Sequence, residues 1–176
     1  EFSDNSELHI KNSSLSIDNC RIKGKTSSNM APSLINLHNS VMSLKNCDVY
    51  FSGVRNATFV DSNDSVFIVK DSAVTVQSPV YASFINAENS KISGRNCNVA
   101  VVSDTAVCFS IRKSKLSLDN SLFRVSGTIG RIAELFNSQG DLSFNTFNAD
   151  LKRNSTSIKP IFFDEHSDCK ETGSKV

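Results

Sequence analysis

Apolar and polar residues alternate along most of this chain in short bursts, and the bursts recur. The segment Asn12-Ser13-Ser14-Leu15-Ser16-Ile17-Asp18-Asn19-Cys20 returns as Asn39-Ser40-Val41-Met42-Ser43-Leu44-Lys45-Asn46-Cys47. Looser copies begin at Asp71, Asn89 and Ser114, and a degenerate one at Gly140. With the serine as anchor (13, 40, 72, 90, 114, and Gly140 last), the spacings are 27, 32, 18, 24 and 26 residues. Apolar residues then fall into columns. Leu8, Ile35, Phe67, Ile85 and Phe109 stand five before the anchor, Leu15, Met42, Val74, Ile92 and Leu116 two after, and Ile22, Val49, Tyr81, Val99 and Phe123 nine after. Period-two alternation predicts strands with one buried face. The Asn-Ser anchor and a second column, Asn19, Asn46, Ser78, Asn96 and Asn120, predict polar bends between them.

Each copy is therefore two or three short strands joined by tight bends, one coil of a solenoid. One coil cannot bury its inner face, whereas stacked coils can. Coil length, stacked columns and asparagine corners resemble the pectin-lyase-like right-handed parallel β-helix. That resemblance implies an all-β right-handed parallel β-helix of about six coils. The coils do not show the strict sixfold repeat of a left-handed hexapeptide helix, and a β-sandwich does not account for the matched columns. The whole chain, 1–176, reads as a single β-helix domain, with regular coils over 8–150 and an irregular C-terminal segment, 151–176. Ile158–Phe163 is expected to add one strand and Cys169–Val176 to form a tail. Coil length predicts inserted loops at Lys23–Ser33, Phe51–Asp64 and Ala149–Lys159. The short coil containing Pro79 is expected to have a distorted third strand.

Composition narrows the function classes. At 176 residues the length suits one domain, and 39% hydrophobic residues are too many for a disordered chain. Thirty serines and 18 asparagines favour strands and turns over helices. A net charge of +1 provides no global field for nucleic acid, so no nucleic-acid partner is expected. No apolar run is long enough for a membrane helix, so this segment is not expected to insert into a membrane. No signal peptide stands at Glu1-Phe2, and the chain reads as a piece of a longer protein.

Candidate chemistry is sparse. Cys20, Cys47 and Cys97 share a column, with Pro79 and Ser121 filling the other places, and are expected to be small, inaccessible core residues. A Cys20–Cys47 disulfide between adjacent coils is the alternative. No C-x-x-C pair supports zinc, no phosphate-cradling glycine cluster is present, and no cofactor is expected. Of the polygalacturonase signatures that the resemblance brings to mind, Arg21-Ile22-Lys23 matches one in letters and the others are missing. Asp61, Asp64 and Asp71 could bind calcium, though a turn-forming loop suits them better. His9 and His38 stand apart, and Asp164-Glu165-His166-Ser167-Asp168 has the residue types of an acid–base site in the decaying C-terminal part. Tryptophan is absent, which argues against a deep aromatic glycan cleft. No catalytic or metal residue is singled out.

The leading expectation, taken from the resemblance, is a non-catalytic cell-surface or secreted domain. It would resemble a bacterial adhesin or the passenger region of an outer-membrane autotransporter, a virulence-associated class, presenting inserted loops to a protein or glycan partner on a host or neighbouring cell. A polysaccharide lyase or glycoside hydrolase fragment is the alternative, and a structural spacer the third. The expected interaction face combines an outward ladder, Lys70–Glu88–Arg112, with the loop residues Asp61, Asp64, Lys23 and Lys25. Lys11 and His38 belong to the same outward column as the ladder.

Overall fold

The computed structural model describes residues 7–27, 33–151 and 161–175. They form a right-handed parallel β-solenoid of about six turns. Sheet A stacks Leu8–Lys11, Ser33–His38, Asn56–Asn63, Tyr81–Glu88, Thr105–Arg112, Ile129–Phe136 and Ile161–Phe163. Sheet B stacks Ser14–Asp18, Val41–Lys45, Val66–Lys70, Lys91–Arg95, Lys115–Asp119, Gln139–Ser143 and Asp168–Thr172. Sheet C stacks Arg21–Thr26, Asp48–Gly53, Ala73–Gln77, Asn98–Val102, Leu122–Gly127 and Thr146–Leu151. The chain visits A, B and C in turn, so each coil contributes one strand to each sheet.

The corners explain why these residues stack. Among the described residues, twelve non-glycine residues take the left-handed conformation, at φ of 46–54°. At the first corner they are Asn12, Asn39, Asp64, Asn89, Lys113 and Asn137; at the second, Asn19, Asn46, Asp71, Asn96, Asn120 and Phe144. Asparagine and aspartate tolerate this region because their short polar side chains bond locally. The next residue is usually serine, and its hydroxyl bridges coils. Ser65 N–H donates to Ser90 Oγ at 3.1 Å, and Ser90 Oγ donates to the Glu88 carbonyl at 2.7 Å. The series Ser13, Ser40, Ser65, Ser90, Ser114, Ser138, Ser167 repeats that first bond at steps of 27, 25, 25, 24, 24 and 29 residues.

This series corrects the expected register. Ser72 is a second-corner residue, accepting the Cys47 N–H at 3.0 Å, and the first-corner residue of coil 3 is Ser65. Coil 6 turns at Ser138, not Gly140. Phe67 therefore pairs with Met42 and Ile92 in sheet B, and Val74 with Val49 and Val99 in sheet C. Tyr81 opens a sheet A strand and faces outward. No coil is unusually short, and Pro79 lies in the third corner, after Ala73–Gln77 has ended. The span Phe51–Asp64 is no inserted loop, since Asn56–Asn63 is one of the longest strands. Parts of the other two expected loops, 28–32 and 152–160, lie outside the described residues. The supposed tail contains a strand, Asp168–Thr172, paired with Gln139–Ser143.

The first two coils stack as the alternation predicts, with Ile10 beside Leu37, Ile17 beside Leu44 and Ile22 beside Val49. Inside the rod a file of rings runs along the axis: Phe59 stacks on Phe84 at 5.8 Å, Phe84 meets Phe109 at 5.6 Å, Phe109 meets Phe123 at 5.2 Å, and Phe123 stacks on Phe147 at 5.9 Å. Cys108 is fully buried among them. Leu44 is buried without residual exposure, so Leu44→Ala should cost about 2–5 kcal/mol in chemical denaturation. Ser90→Ala deletes a buried acceptor and donor while leaving volume nearly unchanged. It should cost about 1–3 kcal/mol, whereas serine-to-alanine at the exposed Ser14 should be neutral.

Candidate functional site

Sheet A differs from the other two in having eight-residue strands with an internal bend. In Tyr81–Glu88 the side chains run outward, inward, outward, then inward twice at Phe84 and Ile85, with Ser83 buried although it faces out. Two successive inward residues break the period-two alternation and fold the strand toward its outer face. Ser83 and Asn86 stand on either side of the bend, where Ser83 Oγ donates to Asn86 Oδ1 at 2.9 Å. Ser33 does the same to Asn36 at 2.7 Å, and Arg131 reaches Glu134 in the same way. Repetition of the bend in consecutive coils produces a groove along the solenoid axis. Its floor is Ser33, Thr58, Ser83 and Val107, all buried although they face away from the core. One wall is Asn56, Tyr81, Thr105 and Ile129. The other is a lane of polar side chains, His9, Asn36, Asp61, Asn86, Ser110 and Glu134. Beyond it runs a second lane, Lys11, His38, Asn63, Glu88, Arg112 and Phe136.

Two recesses open along these lanes. One, of about 250 Å³, is lined by Asp61, Tyr81, Asn86, Ala87, Glu88, Ser110 and Arg112. The other, of about 350 Å³, is lined by His9, Ile10, Lys11, Asn36, Leu37, His38, Asp61 and Asn63. Asp61 belongs to both. Burial raises the pKa of its carboxyl above the ordinary aspartate value. Burial likewise raises that of the Tyr81 hydroxyl, which keeps it a neutral hydrogen-bond donor. Toward the C-terminal end the groove becomes aromatic and cationic. Arg112 lies over Phe136 at 5.3 Å, Phe136 contacts Phe162 at 5.7 Å, and Arg131 lies over Phe162 at 5.6 Å.

The structure brings together three of the residues expected in an interaction face, Asp61, Glu88 and Arg112, and separates the rest. Glu88 is flanked by Arg112 and Asn63, whereas Lys70 stands between Lys45 and Arg95 on sheet B. The ladder Lys70–Glu88–Arg112 is thus reduced to its second half. Asp64 sits at the first corner, while Lys23 and Lys25 project from the sheet C strand of coil 1. Asp164 is a structural cap: its carboxylate accepts from Asn137 N–H at 3.1 Å and from Ser167 Oγ at 2.5 Å, and these bonds lower its pKa. No cluster of three or more metal-ligating side chains occurs among the described residues. Nor is any described helix long and apolar enough to cross a membrane. Cys20 is exposed, against expectation, whereas Cys47 and Cys97 are buried, and all three are free thiols. The column neighbours of Cys97 are Ser72 and Ser121, not Pro79.

Sequence reasoning overlooked Tyr81, Asn86, Ser110, Phe136 and Phe162. The usable signal was the pair of consecutive apolar residues in Phe59-Val60, Phe84-Ile85 and Cys108-Phe109, which marks the bend. No family model matches the chain, and no curated protein or solved structure shows significant similarity to it.

Asp61 is partly solvated, and among the described residues it makes no hydrogen bond or ion pair to offset the desolvation that remains. A carboxyl with a raised folded pKa stabilises most below its unfolded value of 3.8, and that contribution is lost as pH rises through the folded value. Asp61→Asn should therefore raise the melting temperature at pH 7, and the gap to wild type should close as pH falls toward 4. An unchanged gap across this range in thermal unfolding would show that Asp61 is fully solvated.

Proposed function

We propose that this protein is a cell-surface or secreted β-solenoid that binds a glycan chain lengthwise in the sheet A groove. The observation that carries this reading is the lane Asn36, Asp61, Asn86, Ser110, Glu134, one hydrogen-bonding side chain per coil. Amides, hydroxyls and carboxylates in file suit a linear ligand rich in hydroxyl groups. A cleft with a few polar groups converging on it is also the usual form of a binding site. Tyr81 adds a neutral donor on the opposite wall, and Phe136 and Phe162 add apolar faces of the kind on which sugar rings pack. The adhesin or autotransporter-passenger role follows the likeness of the coil pattern to the pectin-lyase-like β-helices. Binding through a built groove replaces binding through inserted loops, because the described coils differ little in length.

A second reading has one specific support. Asp61, with its raised pKa, and Glu88 share a recess with Arg112. Two carboxyl groups lining one recess are the residue types used for general acid–base cleavage of glycosidic bonds. Polysaccharide hydrolysis or elimination at this recess is therefore the alternative.

Binding to immobilised polysaccharides followed by titration calorimetry tests the first reading. Asn86→Ala and Tyr81→Ala should each weaken binding about fivefold, as loss of one hydrogen bond does, whereas Lys70→Ala on sheet B should not change it. Binding that survives both groove substitutions would move the site elsewhere. For the second reading, the same polysaccharides should yield new reducing ends or unsaturated products with wild type and none with Asp61→Asn.

A further inference from the structure

We propose that Cys20 and Cys47 are a redox-responsive pair that closes to a disulfide under oxidising conditions and staples the first coil to the second. This does not rest on the groove reading. The two cysteines occupy the same second-corner position in successive coils. Asp18 pairs with Lys45 on one side of them and Arg21 with Asp48 on the other, and Asp48 N–H donates to the Cys20 carbonyl at 2.9 Å. Parallel neighbours lie about 4.8 Å apart, within the roughly 4.4–6.8 Å Cα span of disulfides. Both thiols are reduced here. Cys20 Sγ donates to the Asp18 carbonyl at 3.3 Å, and Cys47 Sγ to that of Lys45 at 3.1 Å. Cys47 Sγ also lies 3.7 Å from the Ile17 carbonyl, so it already leans toward coil 1. Both line one open recess, together with Asn46 and Asp71, and Cys20 is exposed in it.

The seam they join is one of two in the second-corner series, with Ser72–Cys97, where sulfur takes the place of an oxygen acceptor. Ser72 and Ser121 offer hydroxyl oxygens that accept the N–H of Cys47 and Cys97, each at 3.0 Å. Cys47 offers Cys20 only sulfur, a weaker acceptor. Leu8, Leu15 and Ile17 of coil 1 are also only partly buried against the core. Cys97 provides an internal control. Its thiol takes the same pose, 3.2 Å from the Arg95 carbonyl and 3.4 Å from that of Val69, but serines flank it.

With oxidised glutathione as the oxidant, Cys20 thiolate attacks one glutathione sulfur and releases one glutathione thiol. Cys47 then loses its proton to solvent and attacks Cys20 Sγ, releasing the second. Two protein thiols are oxidised to one disulfide, and one glutathione disulfide is reduced to two thiols.

The test is to incubate reduced, folded protein with oxidised glutathione at neutral pH, alkylate the remaining thiols and map the peptides by mass spectrometry. The expected result is a Cys20–Cys47 link, with Cys97 and Cys108 alkylated only after unfolding. The melting temperature should rise by about 5 °C and return on reduction. Cys47→Ser, serine being the residue at the equivalent corner in coils 3 and 5, should fold and keep Cys20 as a glutathione adduct. A stable Cys20 adduct in wild type with Cys47 still free overturns the proposal. So does a Cys20–Cys20 link between two molecules as the main product.

Discussion

A small polar side chain, most often a serine hydroxyl, behind each left-handed corner residue governs the architecture of this solenoid. The chain must reverse direction without leaving unpaired backbone groups, because buried N–H and C=O groups without partners are costly. A left-handed asparagine makes the bend, and the following serine satisfies what the bend exposes. At Ser114 the hydroxyl accepts the Ser90 N–H of the preceding coil at 2.8 Å and donates to the Arg112 carbonyl of its own coil at 2.5 Å. One side chain thereby holds both the shape of a coil and its position over the previous one. Where serine is replaced, cysteine takes the place with sulfur, as at Cys47 and Cys97, or asparagine with an amide oxygen, as where Asn145 Oδ1 accepts the Ser121 N–H at 3.0 Å. The asparagines add a second, exposed ladder, such as Asn120 Nδ2 to Asn96 Oδ1 at 2.9 Å.

Fixed corners make every position in a coil a column, and columns turn sequence into surface. A residue on sheet A recurs one strand spacing along the axis with the same orientation, so a binding groove needs only one suitable residue per coil. The groove also depends on the interior. Phe84 and Ile85 are both buried because the rod is wide enough at sheet A to take two consecutive side chains, and that double insertion bends the strand around Ser83 and Asn86. Core packing and groove shape are therefore two sides of one strand, joined at the same bend.

The period-two alternation and the Asn-Ser and Asn-Cys pairs made the parallel β-helix legible in the sequence. They did not make its register unique. Both corners present the same signal, a left-handed Asn or Asp followed by a small residue and then alternating apolar positions. They stand seven residues apart, as Ser90 and Cys97 do. Coil 3 could thus slide by one side of the coil, with Ser72 taken for Ser65, and still alternate. Val66-Phe67-Ile68-Val69 removed the contrast that would have settled it, because Val66 and Ile68 are apolar yet face outward, half-buried. The candidate site was less legible than the fold for the same reason. Glu88 and Arg112 lie in coils that were correctly aligned, and they are neighbours. Lys70 came from the shifted coil, and it lies on another face.

The three faces also differ in what their geometry permits. Sheet B strands are five residues long and strictly alternating, so their outer side chains stand on a flat surface. Lys45, Lys70 and Arg95 form one edge of that surface, and Ser43 and Ser93 occupy its middle. Like charges stacked at one strand spacing are mildly destabilising, and here Arg95 is paired with Asp119 at 3.3 Å, which ends the series. A flat face with a cationic edge resists face-to-face association of sheets without enclosing anything. Sheet A carries fewer cations over its central coils and has a buried polar floor. In that floor Ser83 is satisfied by Asn86 and Ser33 by Asn36. Beside that floor stand Asn86 and Asp61, both on the outer face of sheet A. The bend that lengthens sheet A is thus what separates a flat surface from a grooved one.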